Sequence, residues 1–187
     1  MQIRCALVGM PGSGKSTIGR QLAHRVGVPF IDVDHRLEQH LGMSIRQFFE
    51  AEGEARFRDE EAALLSHLAQ QPGGMVLSTG GGAVLRPDNR SVLRRFGHVL
   101  YLRASAEEIY KRIKHDRSRP LLQVGNPLDK LRELYAQRDP LYRETAHFVI
   151  ETGRPTVSTL VNMILMQLEM AGGVESSEPE PSRDQQG

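Results

Sequence analysis

Eight consecutive residues constrain this chain more than any other feature: Gly9-Met10-Pro11-Gly12-Ser13-Gly14-Lys15-Ser16. They fit the pattern G-x-x-x-x-G-K-[ST]. A β-prone run, Ile3 to Val8, precedes them. A helical pattern, Lys15 to Val26, follows and is stopped by Gly27. Gly12 and Gly14 can take backbone angles that turn N–H groups inward, forming an anion-binding nest. The helix N-terminus adds its dipole. Lys15 reaches outer phosphates as a point charge, and the Ser16 hydroxyl can ligate Mg²⁺. The pattern specifies a bound nucleoside triphosphate but not a reaction.

Size and charge narrow the reaction. The chain has 187 residues, 39% of them hydrophobic, which fits one domain with its own core. The Asn-Lys-x-Asp guanine reader of GTPases is absent, and the length is short for a motor core; small kinases fit. With 24 Lys and Arg against 23 Asp and Glu, the net charge is +1. That excludes a strongly basic nucleic-acid binder. The single cysteine, Cys5, permits no intrachain disulfide and points to a reducing compartment and a core position. No apolar run approaches a membrane span, and the N-terminus lacks the pattern of a signal peptide. The expectation is a cytoplasmic protein that binds neither membrane nor nucleic acid. Within the charge sum, 20 residues are Arg and only four are Lys. Residues 172–187 are acidic and almost without apolar side chains, which predicts a disordered tail of charge −3 beside a +4 body, residues 1–171.

Along the body, short apolar runs alternate with helical patterns. Strands are expected at Ile3–Val8, Phe30–Val33, Met75–Thr79, Val99–Leu102 and Phe148–Glu151. Helices are expected at Lys15–Val26, within 44–70, and at Pro87–Phe96, Ala106–Lys114, Leu128–Tyr142 and Val157–Met170, the last packing through Val161, Ile164, Leu165 and Leu168. The alternation predicts an α/β fold with a parallel sheet covered by helices on both faces.

Three further groups carry chemistry. Many proteins with this loop place a Mg²⁺-linked Asp after a later strand, but Met75–Thr79 runs into Gly80-Gly81-Gly82 instead. Asp32 and Asp34, two apart at the end of the second strand, are expected to share one face. One can serve the metal and the other can face an acceptor hydroxyl as base or orienter. The competing reading makes Asp34 a helix N-cap. The three glycines let backbone approach a small polar ligand; the competing reading is a flexible turn. Arg117 and Arg119, in the polar loop 115–125, suggest a lid that closes over phosphates. Arg58 and Arg138 taken singly read as solvated helix residues, although arginine forks onto carboxylates. Together these residues suggest a kinase with a small hydroxylated acceptor that can be anionic.

The ordered segments GMPGSGKSTIG, FIDVD, FFEAEGEARFRDEE, STGGG, RPLL and YAQRDPLY resemble those of the shikimate kinases, over roughly residues 3–170. These are small P-loop kinases related to the nucleoside monophosphate kinases. The resemblance implies a three-layer α/β/α fold of P-loop kinase type with a five-stranded parallel sheet. It also implies a substrate-binding helical region at about 34–61, a mobile lid at about 115–125, and action as a monomer. It implies transfer of the γ-phosphate of ATP, with Mg²⁺, to the 3-hydroxyl of shikimate, a step of chorismate and aromatic amino-acid synthesis. Gly12, Ser13, Gly14, Lys15, Ser16 and Thr17 would then hold the ATP phosphates, and Ser16 with Asp32 would serve the metal. Asp34 would bind the acceptor hydroxyl and act as base. Arg58 and Arg138 would fork onto the shikimate carboxylate, with Gly80, Gly81 and Gly82 lining the same pocket and Phe49 and Phe57 as apolar walls. Arg119 would be the lid arginine on the phosphates, and Arg112 and Arg154 would lie near adenine. The alternatives are a gluconate-type P-loop kinase, which STGGG and RDPLY disfavour, and a nucleotide-binding module without catalysis.

Overall fold

The apolar alternation along the first strand is the origin of the architecture. In the computed structural model, which describes residues 2–115 and 125–172, Arg4–Val8 forms β1. Cys5 and Leu7 point to one side and Ala6 and Val8 to the other, and all four are fully buried. A strand buried on both faces belongs at the centre of a covered parallel sheet. β1 takes that place. The five strands are ordered β2-β3-β1-β4-β5, with β2 Phe30–Asp32, β3 Met75–Ser78, β4 His98–Arg103 and β5 Phe148–Glu151. All four pairings are parallel.

Eight α-helices cover the sheet among the described residues: α1 Lys15–Val26, α2 Val33–Leu41, α3 Ile45–Glu52, α4 Glu54–Gln70, α5 Pro87–Phe96, α6 Ala106–Ile113, α7 Pro127–Thr145 and α8 Val157–Met170. On one face, Cys5, Leu7, Val76, Leu100 and Leu102 pack against Ile18 and Leu22 of α1 and Val161, Ile164 and Leu168 of α8. On the other, Ala6, Val8, Leu77, Val99 and Tyr101 pack against α2, α4, α5, α6 and α7. Cys5 is a core residue, and burial pushes its thiol pKa far up. No described helix is long and apolar enough to cross a membrane.

The structure corrects several expectations. Phe30–Val33 is not one strand. The backbone turns after Asp32, which caps α2 by accepting the His35 N–H at 3.2 Å. Asp34 therefore sits in the first turn of α2, and the shared strand face assigned to Asp32 and Asp34 does not exist. The N-cap is Asp32 rather than Asp34. The helical stretch 44–70 is two helices, divided at Gly53, whose φ of 85° breaks the helical path. Helix α7 crosses Pro140 as expected and is longer than expected, from Pro127 to Thr145.

Arginine guanidinium groups tie helix ends to the sheet. Arg4 donates to the carbonyls of Phe96 (3.0 Å), Gln71 (2.8 Å), Gly73 (2.5 Å) and Ala69 (3.1 Å), at the ends of α4 and α5. Arg94 donates to Glu144 and Thr145 carbonyls at the end of α7. The carbonyls of a helix's last turn have no partner within the helix, and those of Gln71 and Gly73 lie just beyond one.

Candidate active site

The register brings Asp32 of β2 level with Ser78 of β3, and Ser78 level with Leu7 of β1. The carboxyl ends of the three strands therefore open onto one place, where ligands bind in open α/β sheets. A cavity of about 400 Å³ lies there. It is lined by the phosphate loop and the start of α1 (Gly12, Gly14, Lys15, Ser16, Thr17), by Asp32 and Asp34, by Ser78, Thr79 and Gly81, and by Arg112.

The loop has the backbone its sequence implies. Gly12 and Gly14 have φ of 82° and 95°. The buried Lys15 ammonium donates to the carbonyls of Gly9 (2.7 Å) and Met10 (2.8 Å), which bends the side chain back over its own loop. Ser13 is buried beneath it. Arg112, on α6, donates to the Ser13 carbonyl (3.2 Å) and, through its other nitrogen, to the Thr152 carbonyl (3.1 Å) after β5. It braces the phosphate loop against the sheet and lines the cavity.

At the second residue of α1, the Ser16 hydroxyl donates to Asp32 Oδ2 at 2.8 Å and lies 3.3 Å from Ser78 Oγ. This is a compact set of hard oxygen donors, suited to Mg²⁺ held by one carboxylate, one hydroxyl, water and phosphate. Among the described residues there is no cluster of three His, Cys, Asp or Glu side chains for a metal. The sequence reading missed Ser78; its position two residues before the glycines was the available signal.

Asp34 lines the same cavity. Burial raises its carboxyl pKa, and the negative charge of Asp32 adds to this; Lys15 and Arg58 act in the opposite direction. A raised pKa makes this carboxylate a stronger proton acceptor.

The three glycines are set by space rather than by backbone angle, since none has positive φ. A Cβ on Gly80 would lie 2.6 Å from Asp34 Oδ1. On Gly81 it would lie 2.7 Å from Pro11 Cδ and 3.2 Å from Arg138 Nη1, and on Gly82 it would collide with the Arg58 guanidinium. The turn thus touches Asp34, Arg138 and Arg58 in succession. This gives the glycines a steric reason that a merely flexible turn does not supply.

Arg58 is far from a solvated helix residue. Its guanidinium donates to Glu61 Oε1 at 3.0 Å and Glu54 Oε1 at 3.3 Å, and lies 5.2 Å from the Phe57 ring centre and 5.9 Å from that of Phe49. The two rings pack at 4.8 Å. Phe57 is almost wholly buried, so it backs the site from the core. Glu61 is fully buried and its pKa is raised by burial, with Arg58 opposing. Arg58 Nε and Glu61 Oε2 are buried without a hydrogen-bond partner among the described residues. Glu61 escaped the sequence reading; only its i+3 spacing from Arg58 hinted at the pair. Arg154 is exposed on the β5–α8 connection and does not line the cavity. Arg117 and Arg119 lie outside the described residues.

Comparison with known proteins places this arrangement. The family model described as shikimate kinase matches residues 11–169. The chain belongs to the shikimate kinase family. Its catalytic class is that of an ATP-dependent small-molecule kinase. A shikimate kinase of Paracidovorax citrulli (strain AAC00-1) is 59% identical over 173 residues, covering 91% of this chain and 94% of that protein. A shikimate kinase of Ralstonia nicotianae is 56% identical over 165 residues, covering 88% and 86%. Among solved structures, shikimate kinase from Acinetobacter baumannii in complex with shikimate superposes with a TM-score of 0.86 at 43% identity, covering 94% of this chain and 97% of that one. The fold expectation, a five-stranded parallel sheet of P-loop kinase type, holds in full.

Proposed function

We propose that this cavity transfers the γ-phosphoryl group of ATP to the 3-hydroxyl of shikimate, giving shikimate 3-phosphate for chorismate and aromatic amino-acid synthesis. The observation that carries the reading is the confluence at three strand ends of Lys15, the Ser16–Asp32 pair and a buried Asp34. Phosphoryl transfer needs positioning and charge stabilisation more than covalent help from the protein. Ser16 and Asp32 would hold Mg²⁺, with Ser78 close by. When bound, Mg²⁺ neutralises charge on the outer phosphates. The backbone of Gly12, Ser13, Gly14 and the first turn of α1 offers N–H donors to those phosphates, and Lys15 adds its charge. Asp34 orients the acceptor hydroxyl and takes its proton. Arg58 and Arg138 fork onto the acceptor carboxylate beside Gly80–Gly82, with Phe49 as the apolar wall. Arg119 closes over the phosphates from the lid, by resemblance. Arg112 reaches ATP from the loop side; Arg154 is the weaker adenine contact, because it stands off the cavity. The chain acts as a monomer in the cytoplasm, without nucleic acid or membrane.

The test is coupled ADP release by the purified full-length chain with MgATP. Release that requires shikimate, and does not appear with gluconate, supports the proposal. Release with gluconate alone would replace it with a gluconate-type kinase. ATP binding without release for either acid would leave a nucleotide-binding module.

A further inference from the structure

Arg138 has to be held at a fixed distance from the glycine turn, yet it sits on the least self-supporting part of its helix. Pro140, two residues on, lacks the N–H that would bond to the Ala136 carbonyl. The backbone ladder of α7 is therefore interrupted across the turn that carries Arg138. Two tyrosines make up the support. Tyr142, four residues after Arg138 and on the same face of α7, donates its hydroxyl to the Gly81 carbonyl at 2.6 Å. Its ring is fully buried and packs on Tyr101 of β4, with centres 5.0 Å apart. The Tyr101 hydroxyl donates to Asp139 Oδ1 at 2.7 Å, on the residue next to Arg138. The other Asp139 oxygen accepts from Arg143 at 3.0 Å. Arg138 is thus flanked by two ties to the sheet side, and one of them ends on the turn itself.

We propose that the Tyr142 hydroxyl is a positioning group that sets the spacing between the Gly80–Gly82 turn and Arg138, and so fixes the carboxylate end of the acceptor site. Tyr142 does not touch the acceptor. It acts through Gly81, on which a Cβ would lie 3.2 Å from Arg138 Nη1, and through the Arg138 guanidinium itself, which stands beside the Tyr142 hydroxyl. Burial pushes the Tyr142 phenol pKa up to about 12, with Arg138 opposing. It therefore stays a donor throughout the neutral range. The proposal rests on the reading of Arg138 as a carboxylate ligand.

Tyr142→Phe removes the donor and keeps the ring against Tyr101. Calorimetry on the full-length wild type and variant would measure binding of three ligands: shikimate, its methyl ester and ATP. The expected result is a loss of shikimate affinity of about tenfold, the effect of one buried hydrogen bond left unmade. ATP affinity should not change. The ester, which lacks the anionic contact, should bind both proteins equally weakly. Steady-state kinetics should move KM for shikimate with kcat changed less than about twofold. Equal shikimate affinity in wild type and variant would overturn the positioning role, and so would an equal loss for shikimate and ester. If wild type does not bind shikimate, the reading of the acceptor fails first, and the positioning role falls with it. If thermal melting shows Tyr142→Phe to be unfolded, Tyr101→Phe cuts the second tie instead. A smaller loss selective for the carboxylate, about threefold, is then expected, and no loss would sink the proposal.

Discussion

A single carboxyl group shows what the site costs the fold. Asp34 is pushed toward neutrality by burial and by Asp32. A group whose folded pKa is raised contributes most below its unfolded value, near 3.8, and loses that contribution as pH rises through the folded value. At neutral pH the Asp34 charge is therefore a burden on stability that serves turnover. Asp34→Asn should lower kcat on the order of a hundredfold or more while ATP still binds. It should melt no lower than wild type at pH 7, and its advantage should grow as pH rises from about 4. Stopped turnover assays and melting curves across pH check both. Unchanged turnover would return Asp34 to an ordinary helix residue. That Asp34 lies at the cavity was legible from its place after the second strand. Its setting was not, because the strand ends one residue earlier than the apolar pattern suggests and Asp32 takes the capping role. Glu61 and Ser78 were illegible for a different reason. Ser78 matters through a long-range neighbour, Ser16, and Glu61 through the burial of its i−3 partner Arg58, which spacing alone does not reveal.

At the level of elements, four of the twenty arginines share one structural role. Arg4, Arg90, Arg94 and Arg112 each donate to two or more backbone carbonyls where helices or loops end. A planar guanidinium can serve several carbonyls at once, whereas an ammonium acts as a compact point charge. In sequence these residues look like ordinary surface charge, because their partners lie as far as 92 residues away. Arg4→Lys keeps the charge and loses the fork, together with the stacking on Phe96 at 4.3 Å. It should destabilise the protein by about 2 kcal/mol, read by urea melting, with KM values unchanged at 25 °C. The helices themselves were mostly legible from their apolar spacing. Two features were not. α2 was hidden behind the short edge strand β2, and the break at Gly53 that divides α3 from α4 does not show in the apolar spacing.

Across the whole molecule, stability should carry a second pH signature, opposite in sign to that of Asp34. His147 Nδ1 accepts the Val99 N–H at 2.9 Å, a bond open only to the neutral ring. Burial, and then the charges of Arg94 and His98, lower its pKa below 6.5. Its contribution is complete above about pH 6.5 and is lost as pH falls through the lower folded value. His147→Asn, which keeps an acceptor without a proton site, should flatten the fall in melting temperature between about pH 6.5 and 5. An unchanged slope would assign that fall to other groups. The global topology was the most legible property of all. One phosphate loop after an apolar strand fixes the central strand, and the alternation of patterns fixes the layers. Among the described residues the large apolar side chains left exposed are Met43, Val149 and, on α8, Met163, Met166 and Met170, of which Met170 is the most exposed.

The crowding around Gly80, Gly81 and Gly82 has a consequence for inhibition. A compound seated against this turn meets a wall whose every added carbon is already claimed, by Asp34, by Pro11 and Arg138, and by Arg58. A side chain introduced there to block the compound would also displace the groups proposed to handle the natural acceptor. On the proposed roles of these groups, a substitution at any of the three glycines that weakened such a compound would be expected to weaken binding of the acceptor as well.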